Sequence, residues 1–285
     1  MSTEFLTLLP PPGAALAAYN RTKRSDQQPG SIPQLFKDAM SVREAVYVEE
    51  QGVPLANELD DDDARSWHWI VYASVGTTST SSSRSPPKSH TWHKRRASKE
   101  DQEDADRRRS SATASRVPVG TIRLIPPPHP PNPYITHDLH SLTTSTTTAA
   151  AAAAHDPHPD ADPPTPVPLP TEPFVKLGRL ATLPAYRKLG LSRLLINAAL
   201  EWAAANPTQV LRPPSPATLE AARLEGREEE ERWRGLAMVH AQVSVEGLWA
   251  RFGFREEFEG VPKEGRWWEE GIEHLGMWRR LRVKE

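Results

Sequence analysis

The clearest pattern of apolar and polar positions in the chain lies in residues 174–202, FVKLGRLATLPAYRKLGLSRLLINAALEW. Residues 174–183 are rich in apolar side chains and predict a strand. Pro184 ends that strand, because proline has no N–H to give to a β-ladder. From residue 191 onward, apolar residues recur at spacings of three and four, which predicts an amphipathic helix. Its apolar face is expected to contain Leu191, Leu194, Leu195, Ala198 and Trp202.

A basic turn at residues 187–192 joins this strand to this helix. Such a turn exposes free backbone N–H groups at a helix N-terminus, and these suit an anion such as a pyrophosphate. Gly190 allows the backbone to come close to a ligand, and Ser192 is too small to block it. Positive charge is added by Arg187, Lys188 and Arg193. The alternative is an ordinary strand-to-helix connection that happens to be basic.

The remaining apolar runs predict further elements. A Ser31–Gln34 capping box, with Pro33 in the first turn, predicts a helix that runs to about Gln51. Ser244 is expected to cap a short helix. Strands are expected at 5–9, 67–73, 117–125 and 236–243, from residue 252, and at 274–283, with a wide turn at 265–271. This β-α-β-β-β-α-β-α-β-β order predicts an α+β fold built on a mixed sheet.

Three segments interrupt that order. Much of the chain's proline (29 residues in all) and Ser/Thr falls in residues 75–116 and 126–172, which bury too little apolar surface to order and are expected to be disordered inserts. Residues 206–235 predict a helical insert, with a serine cap followed by proline and strong helix formers. Removing all three leaves roughly 165 residues, so the 285-residue chain is predicted to be one interrupted domain.

The composition excludes several classes of function. A net charge of −2 provides no overall basic field for nucleic acid, and acidic residues interleave the basic run at 94–109. The chain has no cysteine, which excludes disulfides, thiolate zinc sites and a cysteine nucleophile. Neither a signal peptide nor a membrane span is recognisable. We therefore expect a soluble cytoplasmic protein, with a nuclear location left open, that binds neither nucleic acid nor membrane.

Two polar clusters each allow a plain and a functional interpretation. The acidic run of Glu58 and residues 60–63 is either a solvated loop or a rim that attracts a cationic substrate. The histidines of the second insert lack metal-site spacing, so we expect them to be solvent-exposed and expect no metal site. They are His129, His137, His140, His155 and His158.

Several separated pieces of the chain share the patterns of one protein family. Residues 187–192 (RKLGLS) match Arg/Gln-x-x-Gly-x-Gly/Ala with serine at the last position, residues 180–187 match apolar-Ala-apolar-x-Pro-x-Tyr-Arg, and LWARFGF at 248–254 corresponds to Phe-Tyr-x-x-x-Gly-Phe. These pieces resemble the GNAT superfamily of N-acetyltransferases. Further pieces look like its ElaA-type branch: 48–51 with Glu58 and Asp60, 241–242, and 270–272 with His274 and Met277. A P-loop and a dinucleotide fingerprint both fail, because the glycines and lysine they need are absent.

The resemblance implies a GNAT fold, a mostly antiparallel mixed sheet flanked by helices, with acetyl-CoA as co-substrate. It implies direct transfer of the acetyl group to a primary amine, on a small molecule or a protein. The turn would hold the pyrophosphate through Arg187, Lys188, Leu189, Gly190, Leu191 and Ser192. The backbone of Leu180, Ala181 and Thr182 would pair with the pantetheine arm. Strands 174–183 and 236–243 would splay, and Gly178 would mark a bulge.

The catalytic residues are less clearly marked. Trp249 stands where the family commonly has a tyrosine, and an indole N–H donates a hydrogen bond but does not give up its proton. It either steadies the thiolate or packs in the core. Glu50 and His240 are the leading candidates for the base, with His68 and Asp60 behind them. The alternative function is a non-catalytic acyl-CoA-binding or scaffold protein of the same fold. The acceptor amine and the oligomeric state stay open.

Overall fold

The structure, a computed structural model, describes residues 5–76, 114–137, 165–166, 169–225 and 232–283. Nine β-strands lie within those ranges. They are β1 (Leu6–Leu9), β2 (Trp67–Gly76), β3 (Ala114–Ile125), β4 (Thr136–His137), β5 (Thr165–Pro166), β6 (Val175–Thr182), β7 (Leu236–Gln242), β8 (Arg266–Glu269) and β9 (Ile272–Arg280). Seven form one sheet in the order β1-β2-β3-β6-β7-β9-β8, and β4 pairs with β5 separately.

The helices of the described ranges lie between these strands. They are α1 (Gln34–Arg43), which continues as a π-helix (Glu44–Glu50), then α2 (Leu55–Glu58), α3 (Leu191–Ala205), α4 (Pro207–Val210), α5 (Pro216–Leu224) and α6 (Glu246–Arg251). None of them is both long enough and apolar enough to cross a membrane.

The long helices α1 and α3 cover opposite faces of the sheet, as the alternation of side chains along β2 shows. Ile70 and Tyr72 point towards α1 and pack in one buried cluster with its residues. Trp69 and Val71 point the other way and pack in a second cluster with Leu195 of α3. Successive residues of a strand face opposite sides, so one strand serves both cores. Every pairing in the main sheet is antiparallel except β6–β7, which confirms the predicted mixed, mostly antiparallel sheet flanked by helices.

The sheet opens in its middle. The parallel strands β6 and β7 pair only from Val175↔Ala237 to Leu177↔Val239 and then separate. At the same point β6 bulges, because Thr121 of β3 faces Ala181 while Arg123 faces Gly178. The splay and the bulge at Gly178 are both confirmed.

The starts of two helices differ from the predictions. Helix α1 has Pro33 as its N-cap without a side-chain hydrogen bond, so the Ser31–Gln34 capping box is wrong. Gln34 donates instead to Asp38 at 2.8 Å. Helix α6 has Val245 as its N-cap, again without a side-chain bond, so Ser244 is not a cap.

The buried face of α3 also differs. Leu194 is 38% exposed, although it was predicted to lie on the apolar face. Leu191, Ala198 and Trp202 pack against the core as predicted, but they are only partly buried. The fully buried stripe lies on the side of the helix that faces β3 and β6. It contains Leu195, Ile196, Ala199, Leu200 and Ala203.

The last part of the chain was predicted with the wrong boundaries. No strand starts at residue 252. Phe254 is buried against Trp249, and Arg255 makes an isolated bridge to Trp278. Strand β8 lies where a wide turn was expected, and it forms a hairpin with β9 through Glu270 and Gly271, which both have positive φ. Strand β8 has only four residues, which is too short for an alternation of apolar and polar residues to stand out in the sequence.

The two inserts predicted to be disordered lie largely outside the described residues, whereas most of the helical insert at 206–235 is described. The division into one domain with inserts stays a prediction. Within the described part, His129 is not solvent-exposed as predicted. Its ring stacks on Phe174 at 4.5 Å, and its Nε2 lies 2.9 Å from the Phe174 carbonyl oxygen. His140, His155 and His158 lie outside the described residues, and only the backbone of His137 is described. Helix α5 is capped as expected: the Ser215 hydroxyl accepts a hydrogen bond from the Thr218 N–H at 3.2 Å.

Candidate active site

A cavity of about 560 Å³ occupies the gap between β6 and β7. Its wall contains the three predicted catalytic residues, Glu50, His240 and Trp249. It also contains five of the nine predicted cofactor-binding residues: Leu180, Ala181, Thr182, Arg187 and Ser192. The other four, Lys188, Leu189, Gly190 and Leu191, form the turn beside the wall without lining it. The separation of two strands therefore gathers residues from five helices and strands, and from the basic turn, around one space.

The turn between β6 and α3 has the backbone that an anion site needs. Lys188 and Gly190 both have left-handed conformations, with φ of 64° and 80°. Backbone with alternating left-handed residues forms concave anion-binding sites from its N–H groups. The first intrahelical bond runs from the Leu194 N–H to the Gly190 carbonyl oxygen at 3.0 Å. The N–H groups of the first turn therefore have no intrahelical acceptor.

Tyr47, in the π-helical continuation of α1, makes a hydrogen bond to the bulged edge of β6. Its hydroxyl donates to the Leu180 carbonyl oxygen at 2.8 Å. Burial is the main cause that raises the pKa of Tyr47 well above its usual value, so the phenol stays a donor. Arg179, within the bulge, has a φ of 53°, a conformation that is uncommon for a residue with a side chain.

Glu50 and Arg187 face each other at the mouth of the cavity. Arg187 Nη1 donates to Glu50 Oε1 at 2.8 Å, and Nη2 donates to Oε2. The hydrogen bond from Arg187 is the main cause that lowers the pKa of Glu50. A carboxylate held in this way is a poorer base, and the guanidinium it pairs with is not free for a pyrophosphate in this conformation.

Two members of the acidic run at 58–63 face neither solvent nor the cavity. Glu58 and Asp63 are buried, 2% and 0% exposed, against the equally buried Arg43. Arg43 Nε lies 2.6 Å from Glu58 Oε1, and Nη1 lies 2.7 Å from Asp63 Oδ1. Both interpretations are wrong for Glu58 and Asp63, because both assumed that these carboxylates face water. Asp61 is exposed, and Asp60 and Asp62 line the cavity.

Two further arginines complete this buried ion network. Arg123 donates to both carboxylate oxygens of Asp60, at 2.6 and 2.7 Å, and Arg179 Nη2 lies 3.0 Å from Asp60 Oδ2. Three arginines therefore balance the carboxylates of Glu58, Asp60 and Asp63. Arg43 and Arg123 hold the pKa of Asp63 well below its usual value even though burial would raise it. The network ties α1, the acidic loop, β3 and the β6 bulge together.

The two weaker base candidates are both engaged in this region. Asp60 is held by Arg123 and Arg179, and its pKa is lowered because these charges outweigh the effect of burial. His68 does not line the cavity. Its Nε2 lies 3.0 Å from the Asp63 carbonyl oxygen, and burial lowers its pKa to about 4. Neither fits a base that collects a proton from the cavity.

His240 lies on the inner wall, where it faces Glu264 and Trp267. Its Nε2 is 2.9 Å from Glu264 Oε2, and the Trp267 ring packs edge-on at 4.6 Å. The two polar atoms are close and both are buried, but neither makes a hydrogen bond in this conformation. Burial lowers the pKa of His240 far below its usual value, and Lys176 and His274 lower it further.

Trp249 is 3% exposed and packs edge-to-face on Phe254, with 5.4 Å between ring centroids. It also lines the cavity. Trp249 therefore packs in the core, which was one of its two expected roles. The other role, a hydrogen bond from the indole N–H to the CoA thiolate, stays a prediction.

Four residues at or beside the cavity were not predicted from the sequence: Tyr47, Lys176 and Arg179, which line it, and Glu264, which contacts His240. Lys176 carried a weak signal, because it stands as a charge within an otherwise apolar strand. Glu264 carried none, since it follows three exposed or half-exposed glutamates. Among the described residues no cluster of three or more His, Asp or Glu is arranged to hold a metal ion.

Comparison with known proteins agrees with this architecture. Residues 77–211, slightly less than half of the chain, match the model of the acetyltransferase (GNAT) family. They include the bulged strand, the basic turn and α3. The fold is the GNAT fold. The opening between β6 and β7 lies beside the turn at residues 187–192.

Several solved structures resemble the chain. A protein named as an N-acetyltransferase from Lactobacillus plantarum is 17% identical, with 87% of this chain and 92% of that chain covered and a TM-score of 0.39. An acyl-CoA N-acyltransferase from Pseudomonas aeruginosa is 15% identical, with 96% and 97% covered and a TM-score of 0.38. Escherichia coli ElaA is 16% identical, with 90% and 95% covered and a TM-score of 0.36.

Likenesses this distant assign neither a substrate nor a branch of the superfamily, so the ElaA-type branch stays a prediction. A search of curated proteins found no significant match.

Proposed function

We propose that this protein is a GNAT N-acetyltransferase that moves the acetyl group of acetyl-CoA directly to a primary amine. One observation carries the proposal. The gap after the three-residue pairing of β6 and β7 lies at the same edge as the anion-binding turn. A long, thin acyl carrier with a pyrophosphate needs such a slot and such a turn together.

The roles follow from position. The first-turn N–H groups of α3 would bind the pyrophosphate, helped by the helix dipole. The open edge of β6, at Leu180, Ala181 and Thr182, would hydrogen-bond the pantetheine arm as a strand partner would. Trp249 would pack beside the thioester. Chemistry of this kind needs positioning and a base for the ammonium proton, and His240 is the proposed base because its side chain faces the cavity.

Binding is tested by calorimetry of acetyl-CoA with the wild type, Ser192→Asp and Ser192→Ala. Ser192 lies in the first turn of α3, where a carboxylate suits the helix dipole and should not unfold the protein. The aspartate would repel a pyrophosphate, so we expect at least a tenfold weaker affinity. The alanine variant should bind within a few-fold of the wild type. No saturable binding by the wild type would reject the proposal.

Transfer is tested by the release of free CoA thiol with a panel of primary amines that includes polyamines, amino sugars, amino acids and lysine peptides. The rival function is a non-catalytic acyl-CoA-binding or scaffold protein, which is favoured by Trp249 standing where the related enzymes commonly have tyrosine. Binding without release for any amine would support the rival. The variant Trp249→Tyr then shows whether a missing acid limits the rate, because a large gain in turnover would follow only in that case.

A further inference from the structure

A buried polar cluster lies at the inner wall of the cavity, on the side away from the anion-binding turn. Two of its atoms are buried without a hydrogen bond: His240 Nε2 and Glu264 Oε2. Such atoms are costly to leave unpaired, and natural proteins contain few of them. Their convergence beside one cavity indicates a working group of side chains and not a structural contact.

The sheet makes room for the Glu264 carboxyl group. Gly276 of β9 is the residue paired with His240 of β7. A Cβ atom at position 276 would lie 2.5 Å from Glu264 Oε2 and 3.2 Å from Glu264 Cβ. Any other residue there would push the carboxyl away. The glycine thus allows the carboxyl to lie over the sheet at 2.9 Å from the imidazole.

The orientation of the imidazole separates its two nitrogens. Nε2 is buried against Glu264, whereas the side chain as a whole is 16% exposed and lines the cavity. Nδ1 is therefore the ring nitrogen left for a substrate. The ring is held in this position by Trp267 on one side and Glu264 on the other.

We propose that Glu264 receives the proton of the acceptor amine through His240, so that the two residues act as a relay. This inference rests on the proposed acetyl transfer. In the starting state Glu264 is ionised, and the imidazole carries its proton on Nε2. The substrate N–H bond breaks and its proton goes to Nδ1. The Nε2 proton goes to Glu264 Oε2 when the carboxyl turns into line with the Nε2–H bond, a small movement that the 2.9 Å separation of the two atoms allows. The amine gains a free electron pair, and the imidazole is neutral before and after.

The electrostatics explain why the carboxyl, and not the imidazole, keeps the proton. Burial raises the pKa of Glu264 to about 7, although Lys176 and Asn132 oppose the rise. A buried imidazolium would be strongly disfavoured, and Lys176 of β6 and His274 of β9 disfavour it further, while Glu269 of β8 favours it. An acceptor with a pKa near 7 takes the proton and releases it again at neutral pH.

The kinetic test compares kcat/KM between pH 5.5 and 9 for the wild type, Glu264→Gln and Glu259→Gln. The acceptor is an amine that stays protonated over this range. The wild type should show a rise with a midpoint near pH 7. Glu264→Gln keeps the size and polarity of the side chain but takes up no proton, so the rise should vanish and the plateau should fall on the order of 100-fold. Glu259 is exposed and outside the cavity, so its variant should follow the wild type.

A second measurement keeps the proposal falsifiable if Glu264→Gln folds poorly. The carboxyl carbon of Glu264 is followed by NMR in the full chain labelled with 13C-glutamate. Its midpoint should lie near pH 7 and shift in His240→Gln. A midpoint at the ordinary 4.5, or an unchanged rise in the Glu264→Gln rate profile, would overturn the relay. A midpoint near 7 with no acetylation of any amine would instead reject the proposed transfer, and the catalytic role with it.

Discussion

The hydroxyl group of Tyr47 donates a 2.8 Å hydrogen bond to the carbonyl oxygen of Leu180, within the bulge that opens the sheet. A residue from the π-helical end of the first long helix thus holds the strand edge that forms one wall of the cavity. Since β7 pairs only as far as Leu177, this bond replaces part of the missing ladder.

The variant Tyr47→Phe removes this bond and leaves a carbonyl oxygen unpaired. We expect the free energy of unfolding to fall by about 1 kcal/mol and the KM for acetyl-CoA to rise, because the edge that would pair with the cofactor loosens. Urea denaturation and initial-rate kinetics measure the two effects. Tyr72→Phe is the control, because it also removes a 2.8 Å hydrogen bond, to Asp38, but Tyr72 does not line the cavity. An equal change of KM in the two variants would contradict the role of Tyr47.

The buried ion network should be sensitive to the loss of one member. Arg43→Met would leave Glu58 and Asp63 as buried carboxylates with fewer partners. Breaking a buried pair from one side costs about 3–5 kcal/mol, so the urea midpoint should fall strongly. Arg24→Met removes an exposed pair with Glu49 and should leave the midpoint almost unchanged. Similar midpoints for the two variants would mean that the network is not a stabilising core element.

Stability should decrease as the pH falls from 6.5 towards 4. Burial lowers the pKa of His68 and of His129 to about 4, from 6.5 when unfolded. In this window the unfolded chain binds protons that the folded chain does not. Each histidine therefore lowers the free energy of unfolding by about 1.4 kcal/mol for every pH unit of acidification. Above pH 6.5 both histidines are neutral in the folded and in the unfolded chain, so their contribution no longer depends on pH.

The comparison that isolates one histidine is His68→Gln. Its free energy of unfolding, measured by urea at a series of pH values, should depend less steeply on pH between 6.5 and 4 than that of the wild type. The remaining slope belongs to His129 and other buried groups. Parallel curves for the two proteins would show that His68 is not held neutral in the fold.

The pair of Glu50 and Arg187 separates two roles for one glutamate. Glu50→Gln frees the guanidinium of Arg187, so calorimetry should show acetyl-CoA binding several-fold more tightly. We expect kcat to stay within a few-fold of the wild type, because the paired carboxylate is a weak base. Glu49→Gln, at the neighbouring exposed position, is the control. A fall of kcat on the order of 100-fold would instead identify Glu50 as the base.

The elements predicted best from the sequence are those whose pattern is local. Strands β2, β3, β6 and β7 were placed to within a few residues, because their apolar runs are long and those of β3 and β6 end at a proline. The start of α3 was placed correctly because Gly190 marks it. The cavity-lining stretch at 180–182 came from the resemblance and not from periodicity, which cannot show that two strands separate.

The residues that were missed depend on contacts distant in sequence. The acidic run at 58–63 stands out, but its partners Arg43, Arg123 and Arg179 are scattered over three elements, so their pairing is a property of the fold. Glu264 differs from its exposed neighbours Glu257 and Glu259 only because Gly276 leaves space above the sheet. Neither fact is visible until the strands are in register.

The short pairing of β6 with β7 also divides the sheet mechanically. Strands β1, β2, β3 and β6 form one half and β7, β9 and β8 the other, and three residue pairs are the backbone ladder between them in the described chain. Beyond those pairs, the side chains of Gln51 and Gln242 meet across the gap, with Gln242 Nε2 at 2.9 Å from Gln51 Oε1. Bending of the sheet therefore concentrates at one hinge line. A molecule that hydrogen-bonds to both β6 and β7 where they separate would stiffen the whole sheet.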